Sequence, residues 1–227
     1  MLKRVAVMQP YFFPYAGYFR LFAAADEFVI FDCVQFPRRG RVHRTEVRGP
    51  GGQTEWLTLP LAHQPRDMKI SQLQFATDAR ATFDRRLARL PWLAAAAGDT
   101  AGRVRSLLAE PLTGSAVDYL EAGLRLVVDT LGLSAVISRS SRLNLDPDLR
   151  GQDRVIAAAK AAGATEYINP PGGRALYDHD AFERHGLVLS FLPPYQGRFF
   201  QLLPALMTVD TRDIREDVLQ TSHLRER

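Results

Sequence analysis

The chain has 227 residues, 46% apolar and 24% charged, which is enough to bury a sizeable core and too hydrophobic for an intrinsically disordered segment. Its 29 basic residues, all but Lys3, Lys69 and Lys160 being arginines, stand against 25 acidic ones for a formal charge of +4, too small an excess to define a partner by itself. The one cysteine, Cys33, excludes an internal disulfide and an all-cysteine metal site. The segment from Met1 to Val7 is too short for a signal-peptide core, and no run reaches the roughly 20 apolar residues a membrane span needs, so a cytoplasmic protein is expected.

Arg4 to Met8 is a short apolar run that predicts a buried first strand, left by a turn at Gln9-Pro10-Tyr11-Phe12-Phe13-Pro14. From Tyr15 the period changes: Tyr18, Leu21, Phe22 and Ala25 fall at helical spacing, and Asp26 closes the helix before a second strand at Phe28-Val29-Ile30-Phe31. Strand, helix and strand in so short a stretch predict a right-handed βαβ unit. Val42 to Val47 and Thr54 to Leu59 flank Gly49-Pro50-Gly51-Gly52 and read as a β-hairpin.

A helical middle follows over Asp78 to Arg89 and Gly102 to Leu108, broken at Pro91 and Pro111, and then the clearest amphipathic helix, Ser115 to Leu131, ended by Gly132. Ala135-Val136-Ile137 predicts the next strand, with polar Ser138 to Ser141 at its carboxyl end. A helix over Gln152 to Ala162, a strand at Glu166 to Asn169 and a last strand at Val188 to Leu192 complete the series. The fold class expected is α/β, a mainly parallel sheet with helices on both faces plus a hairpin and a helical middle, in a single domain over residues 1–227 with no repeat or linker.

In open α/β sheets ligands sit outside the carboxyl ends of the strands, so the chemistry is sought in the turns after Met8, Phe31, Ile137 and Ile168. The first carries Gln9, Tyr11, Gly17 and Tyr18. Gly17 at a helix entrance lets an anion approach free backbone N–H groups, although a rigid aromatic turn that packs the core explains the same residues. The second carries Asp32, Cys33 and Gln35, then Pro37-Arg38-Arg39-Gly40-Arg41-Val42-His43-Arg44. An acid, a histidine and a cluster of cations can supply acid–base chemistry and phosphate contacts, and a solvated basic loop is the plainer alternative. His43, Asp32 and Gln9 are the candidates for the chemical step.

Candidate ligand contacts are Tyr11, Gly17, Tyr18, Gln35 and Arg44 in these two turns, Ser138 and Ser140 in the third, and Asn169, Gly172, Gly173 and Tyr177 in the fourth. Cys33 reads as a small packed residue, because nothing beside it in sequence lowers its pKa. No Walker loop, dinucleotide glycine motif, His-Glu-x-x-His helix or nucleophile elbow is present, and no metal ligands are expected. His63, His179, His185 and His223 read as surface or capping residues.

Several long segments in order resemble the WbqC-like family: Met8 to Phe19, Asp26 to Phe36, Trp56-Leu57-Thr58-Leu59-Pro60, and Gly163 to Asp178. Nearly the whole chain is spanned. The family commonly shows an aromatic and then Asn-Arg-Asn where this chain has Arg41 to Thr45, only Arg44 matching. Leu203 to Met207 replaces a more usual Ser-aliphatic-aliphatic-Asp segment.

The resemblance implies a setting among bacterial O-antigen and surface-polysaccharide genes. It implies modification of a nucleotide-activated amino sugar by N-acyl or aminoacyl transfer, for example of glycine. The layout strand, Pro-x-x-Gly-Tyr, helix, Asp, strand also resembles the nucleotidylyltransferase and pantothenate synthetase superfamily, with Tyr18 standing where its motif has a second histidine. Two alternatives stay open: an ATP-dependent ligase or nucleotidyl transferase, and a non-catalytic scaffold. The cofactor is otherwise unknown, and tRNA and a homo-oligomer remain open as partners.

Overall fold

The computed structural model describes residues 2–63 and 65–222; Met1 and His223, both drawn on above, lie outside them. Five strands, β1 (Arg4–Met8), β2 (Glu27–Ile30), β5 (Val136–Arg139), β6 (Glu166–Asn169) and β7 (Val188–Phe191), form one sheet in the order β5-β2-β1-β6-β7 with every pairing parallel. Strand β1 is central. Val5, Ala6 and Val7 are therefore covered on both faces, which is why this strand reads as an unbroken apolar run rather than an alternation. The antiparallel hairpin of β3 (Arg44–Arg48) and β4 (Thr54–Thr58) stands apart from the sheet, as its glycine-rich loop predicts.

Helices cover both faces. On one side α1 (Ala16–Ala24) and α5 (Ala116–Thr130) share a core with α2 (Ala79–Leu87), α3 (Pro91–Ala95), α4 (Asp99–Ala109) and the hairpin. On the other, α6 (Gly151–Ala161) and α7 (His179–Arg184) pack Val155, Ile156, Ala159 and Phe182 against Val5, Val7, Val29 and Tyr167. Helix α5 begins at a Ser115 cap whose side chain accepts from the Asp118 N–H and stops before Gly132, whose positive φ of 59° reverses the chain. Two more helices, α8 (Leu202–Thr208) and α9 (Thr211–Gln220), lie beyond the elements the sequence reading placed, and α9 packs on α1.

Several boundaries differ from expectation. Strand β5 runs on through Ser138 and Arg139, which pair with Val29 and Ile30, so these two residues are part of the sheet rather than of the turn after it. Strand β2 begins at Glu27 and stops before Phe31. Pro91 opens α3 instead of only ending what precedes it, because a first-turn proline forgoes an N–H that has no helical partner there.

Counted among the parallel strands alone, the order reads 3-2-1-4-5, a doubly wound, Rossmann-like arrangement. The chain lays strands to one side of β1 and then crosses to the other with β6. The switch point therefore falls between β1 and β6, and the turns leaving them begin at Gln9 and Pro170. Among the described residues, no helix is long and apolar enough to cross a membrane.

Candidate functional site

The turn after β1 is held by distant parts of the chain. The Phe12 N–H donates to Arg41 O (3.2 Å), the Thr45 hydroxyl to Phe13 O (2.7 Å), and the Ala16 N–H to Phe199 O (2.9 Å). Phe13 sits in this clamp at φ +40°, a region bulky side chains seldom adopt. The Tyr18 ring is buried against Tyr11, Phe22 and Phe28, and its hydroxyl donates to Gln9 O (2.7 Å), so Tyr18 closes the turn from below. Space beside Gly17 is already taken: a Cβ there would lie 2.2 Å from Tyr15 Cε2 and 2.6 Å from Tyr195 Cγ. With Ala16 N–H also occupied, the helix entrance is lined by protein. Tyr11 is partly buried, and burial raises its phenol pKa, so it stays protonated at neutral pH. The Gln9 side chain makes no hydrogen bond to the described residues.

The turn after β6 lies alongside. Asn169, 3% exposed, accepts from the Tyr167 hydroxyl at Oδ1 (3.2 Å), and its backbone carbonyl accepts from the Leu192 N–H (2.9 Å). Its Nδ2 has no hydrogen-bond acceptor among the described residues. Gly173 is glycine because a Cβ would come within 1.8 Å of Asn169 Nδ2 and 3.0 Å of Tyr177, while Gly172 faces open space. Tyr177 packs edge-on against Tyr167 at 5.9 Å. Two carboxamides, Gln9 and Asn169, thus flank the switch point with hydrogen-bonding capacity unspent.

The second and third turns are locked together. Asp32, 1% exposed, accepts from the Ser140 hydroxyl (3.0 Å), the Ser141 N–H (2.8 Å) and the Ser141 hydroxyl (2.6 Å). Ser140 Oγ in turn accepts from the backbone N–H groups of Asp32 (3.1 Å) and Cys33 (3.2 Å). Asp32 and Ser140 therefore tie β2 to β5. Ser138 donates to Glu27 Oε1 (2.6 Å), toward the amino end of the sheet. Gln35 donates to Arg66 O (2.6 Å) and, with Cys33, Lys69, Arg150 and Arg154, borders a cleft of about 410 Å³. The buried Arg154 guanidinium reaches Cys33 Sγ at 3.4 Å there.

His43 faces a different opening, a cleft of about 500 Å³ between the end of β4 and α2, which it lines with Phe36, Thr58, Asp78, Thr82 and Arg86. Burial, and then the charges of Arg44 and Arg86, lower its pKa to about 4, so the imidazole is neutral at physiological pH. Arg44 donates to Gly40 O (3.0 Å) and to Arg39 O, and its guanidinium stacks 4.3 Å over the Trp56 ring, with Arg41 at 5.1 Å.

The low pKa has a stability consequence. Between about pH 6.5 and 4 the unfolded chain binds a proton that native His43 does not, so stability falls as pH drops through that window. Discounted for partial exposure, the loss is about 1–2 kcal/mol. Denaturation midpoints at pH 7 and 4.5 should show that loss in the wild type and lack it in His43→Gln, the difference between the two proteins isolating this group from the carboxylates.

Several residues at these sites escape sequence reasoning. Arg20, on α1 and 1% exposed, donates from Nη2 to Pro193 O (2.8 Å), while its Nε is buried without a partner. Asp217, on α9, accepts from the Tyr195 hydroxyl and from the Arg198 N–H (2.8 Å). Arg86 looks in sequence like one more arginine on a helix. A signal existed for Arg20 alone, a charge inside the apolar stripe Tyr18 to Phe22.

A doubly wound parallel sheet with helices on both faces defines an α/β protein with Rossmann-like strand order. The chain belongs to the WbqC-like protein family, matched over residues 9–211. It is also 29% identical over 191 residues to Rv1507c, an uncharacterized protein of Mycobacterium tuberculosis (strain ATCC 25618 / H37Rv), covering 80% of this chain and 78% of the relative. No solved structure matches.

Proposed function

We propose that the chain is a transferase of surface-polysaccharide assembly that binds a nucleotide-activated amino sugar at the β1–β6 switch point and acylates or aminoacylates its amine. The observation that carries this reading is the pair of carboxamides at the switch point, the Gln9 side chain without a hydrogen bond among the described residues and Asn169 with its Nδ2 free while Oδ1 accepts from Tyr167. Gln9 and Asn169 each offer a donor and an acceptor, the chemistry that hydroxyls and amides of a sugar or base require. Family membership supports the polysaccharide setting, and the Rossmann-like strand order favours a nucleotide moiety. The acyl or aminoacyl donor is the second substrate, and the protein acts in the cytoplasm, where nucleotide sugars are made.

Nucleotide binding is tested by melting the protein with UDP- and dTDP-linked amino sugars, ADP and ATP. A ligand at ten times its Kd should stabilise by about 1.4 kcal/mol, roughly a 3–5 °C rise. Asn169→Ala should abolish most of the rise. No shift with any nucleotide at millimolar concentration removes the reading. Mass spectrometry of the wild-type reaction then separates simple transfer from the ATP-dependent alternative, in which AMP or pyrophosphate appears with product, and a protein that binds without turnover is the scaffold.

A further inference from the structure

The cleft that holds His43 lies between the hairpin and α2, and its charges are not balanced from within. Arg86 is half-buried and donates from Nη1 to Thr58 O, while its remaining donors have no partner and no carboxylate lies within ion-pair distance among the described residues. Asp78 lines the same cleft but accepts from the Thr82 hydroxyl (2.7 Å). It stands at the N-cap position of α2 without a side-chain capping bond, and no ion pair joins it to Arg86 among the described residues, so it does not neutralise the guanidinium directly. A guanidinium partly out of water with an unspent fork is preorganised for an oxyanion.

His43 supplies the second donor. Its Nδ1 is buried with no hydrogen-bond partner, and the ring lines the cleft. A proton on Nδ1 would be a buried donor with nothing to receive it, costing about 1–3 kcal/mol. The neutral ring therefore carries its proton on Nε2, the nitrogen left to the cleft, and presents an N–H rather than a lone pair. That makes His43 a poor proton acceptor here and a good partner for negative oxygen.

We propose that this cleft is an oxyanion-binding site in which the Arg86 guanidinium and the Nε2–H of His43 donate to a carboxylate or a phosphate. Thr58, Leu59 and Pro60 wall the site on the hairpin side, and Phe36 stands edge-on to the imidazole at 5.1 Å. The proposal goes beyond the switch-point reading and does not need it, since the cleft is defined by its own residues.

The test is an NMR titration of ¹⁵N-labelled protein with inorganic phosphate and with acetate, chloride serving as the ionic-strength control. The expected results are an imidazole protonated at Nε2 before addition and saturable shifts at His43 and around Arg86 with at least one of the two anions. Phosphate alone, or acetate alone, identifies which oxyanion the cleft takes. Arg86→Gln should weaken binding at least tenfold, His43→Ala should weaken it severalfold, and His43→Gln, whose amide N–H reaches the place of Nε2–H, should restore it. If Arg86→Gln melts early, Arg86→Lys carries the comparison, keeping the contact to Thr58 O while losing the fork. An Nδ1-protonated ring, no saturable shift from either anion, or undiminished binding in the folded Arg86 variant overturns the proposal. Oxyanion binding here without any nucleotide-sugar binding would sink the transferase reading and leave this site standing, and the converse would do the opposite.

Discussion

Asp32→Ala should lower unfolding stability by about 2–4 kcal/mol, because it strips three hydrogen bonds from the β2–β5 junction and leaves the buried Ser140 hydroxyl without its acceptor. Urea denaturation measures the loss, and the slope of the transition should not change. Asp32→Asn should also destabilise, by less, since its Oδ1 keeps two contacts and its N–H₂ can donate to the Ser141 hydroxyl, but the charge-assisted character of these bonds is lost. The rival expectation from the sequence is that Asp32 takes a proton from substrate. On that view Asp32→Asn would fold normally and lose turnover by roughly 10²–10⁴-fold. A fully stable but inactive Asp32→Asn would decide against the structural role.

Gly17→Ala carries the second large effect. Alanine is normally the better helix residue by about 0.8–1 kcal/mol, so a solvent-exposed site would gain stability. Here the added methyl would stand 2.2 Å from Tyr15 and 2.6 Å from Tyr195, and both rings are fixed: Tyr195 by Asp217, Tyr15 by contact with Tyr195 and Phe200. Overpacking of this kind costs roughly 1–3 kcal/mol, and the melting temperature should fall by about 3–10 °C. Were Gly17 glycine only to admit a ligand, the variant would melt at or above the wild-type temperature and lose affinity alone.

These two residues mark where sequence reading stops. The apolar run of β1, the Gly-rich hairpin loop and the one-sided pattern of α5 each carry their own signal over five to fifteen residues, and each forms where that signal puts it. Asp32 at a strand end and Gly17 at a helix start are also visible. Which way they face is not, because it is set by Ser140 and Ser141 more than a hundred residues on and by Tyr195 further still. Helix α8 carries no such signal, because Leu202-Leu203-Pro204-Ala205-Leu206-Met207 is apolar almost throughout and shows no period. The cleft at His43 was half legible: the flanking arginine, Arg44, predicts a neutral ring, but Arg86 arrives from α2, and the buried Nδ1 that sets the tautomer has no trace in sequence.

The central place of β1 also matters while the chain is being made. It leaves the ribosome before the other four strands of its sheet, yet one of its two edges waits for β6, whose Glu166 pairs with Arg4. At about 5–20 residues per second, some 160 intervening residues take roughly 8–30 s to synthesise, and through that interval an apolar strand has a row of unpaired N–H and C=O groups. Strand β2, made within seconds, shields the other edge, and the charged ends Arg4 and Glu27 blunt the pair against sticking to a neighbour. A nascent chain stalled before Glu166 should therefore depend on chaperones far more than one stalled just after Phe191.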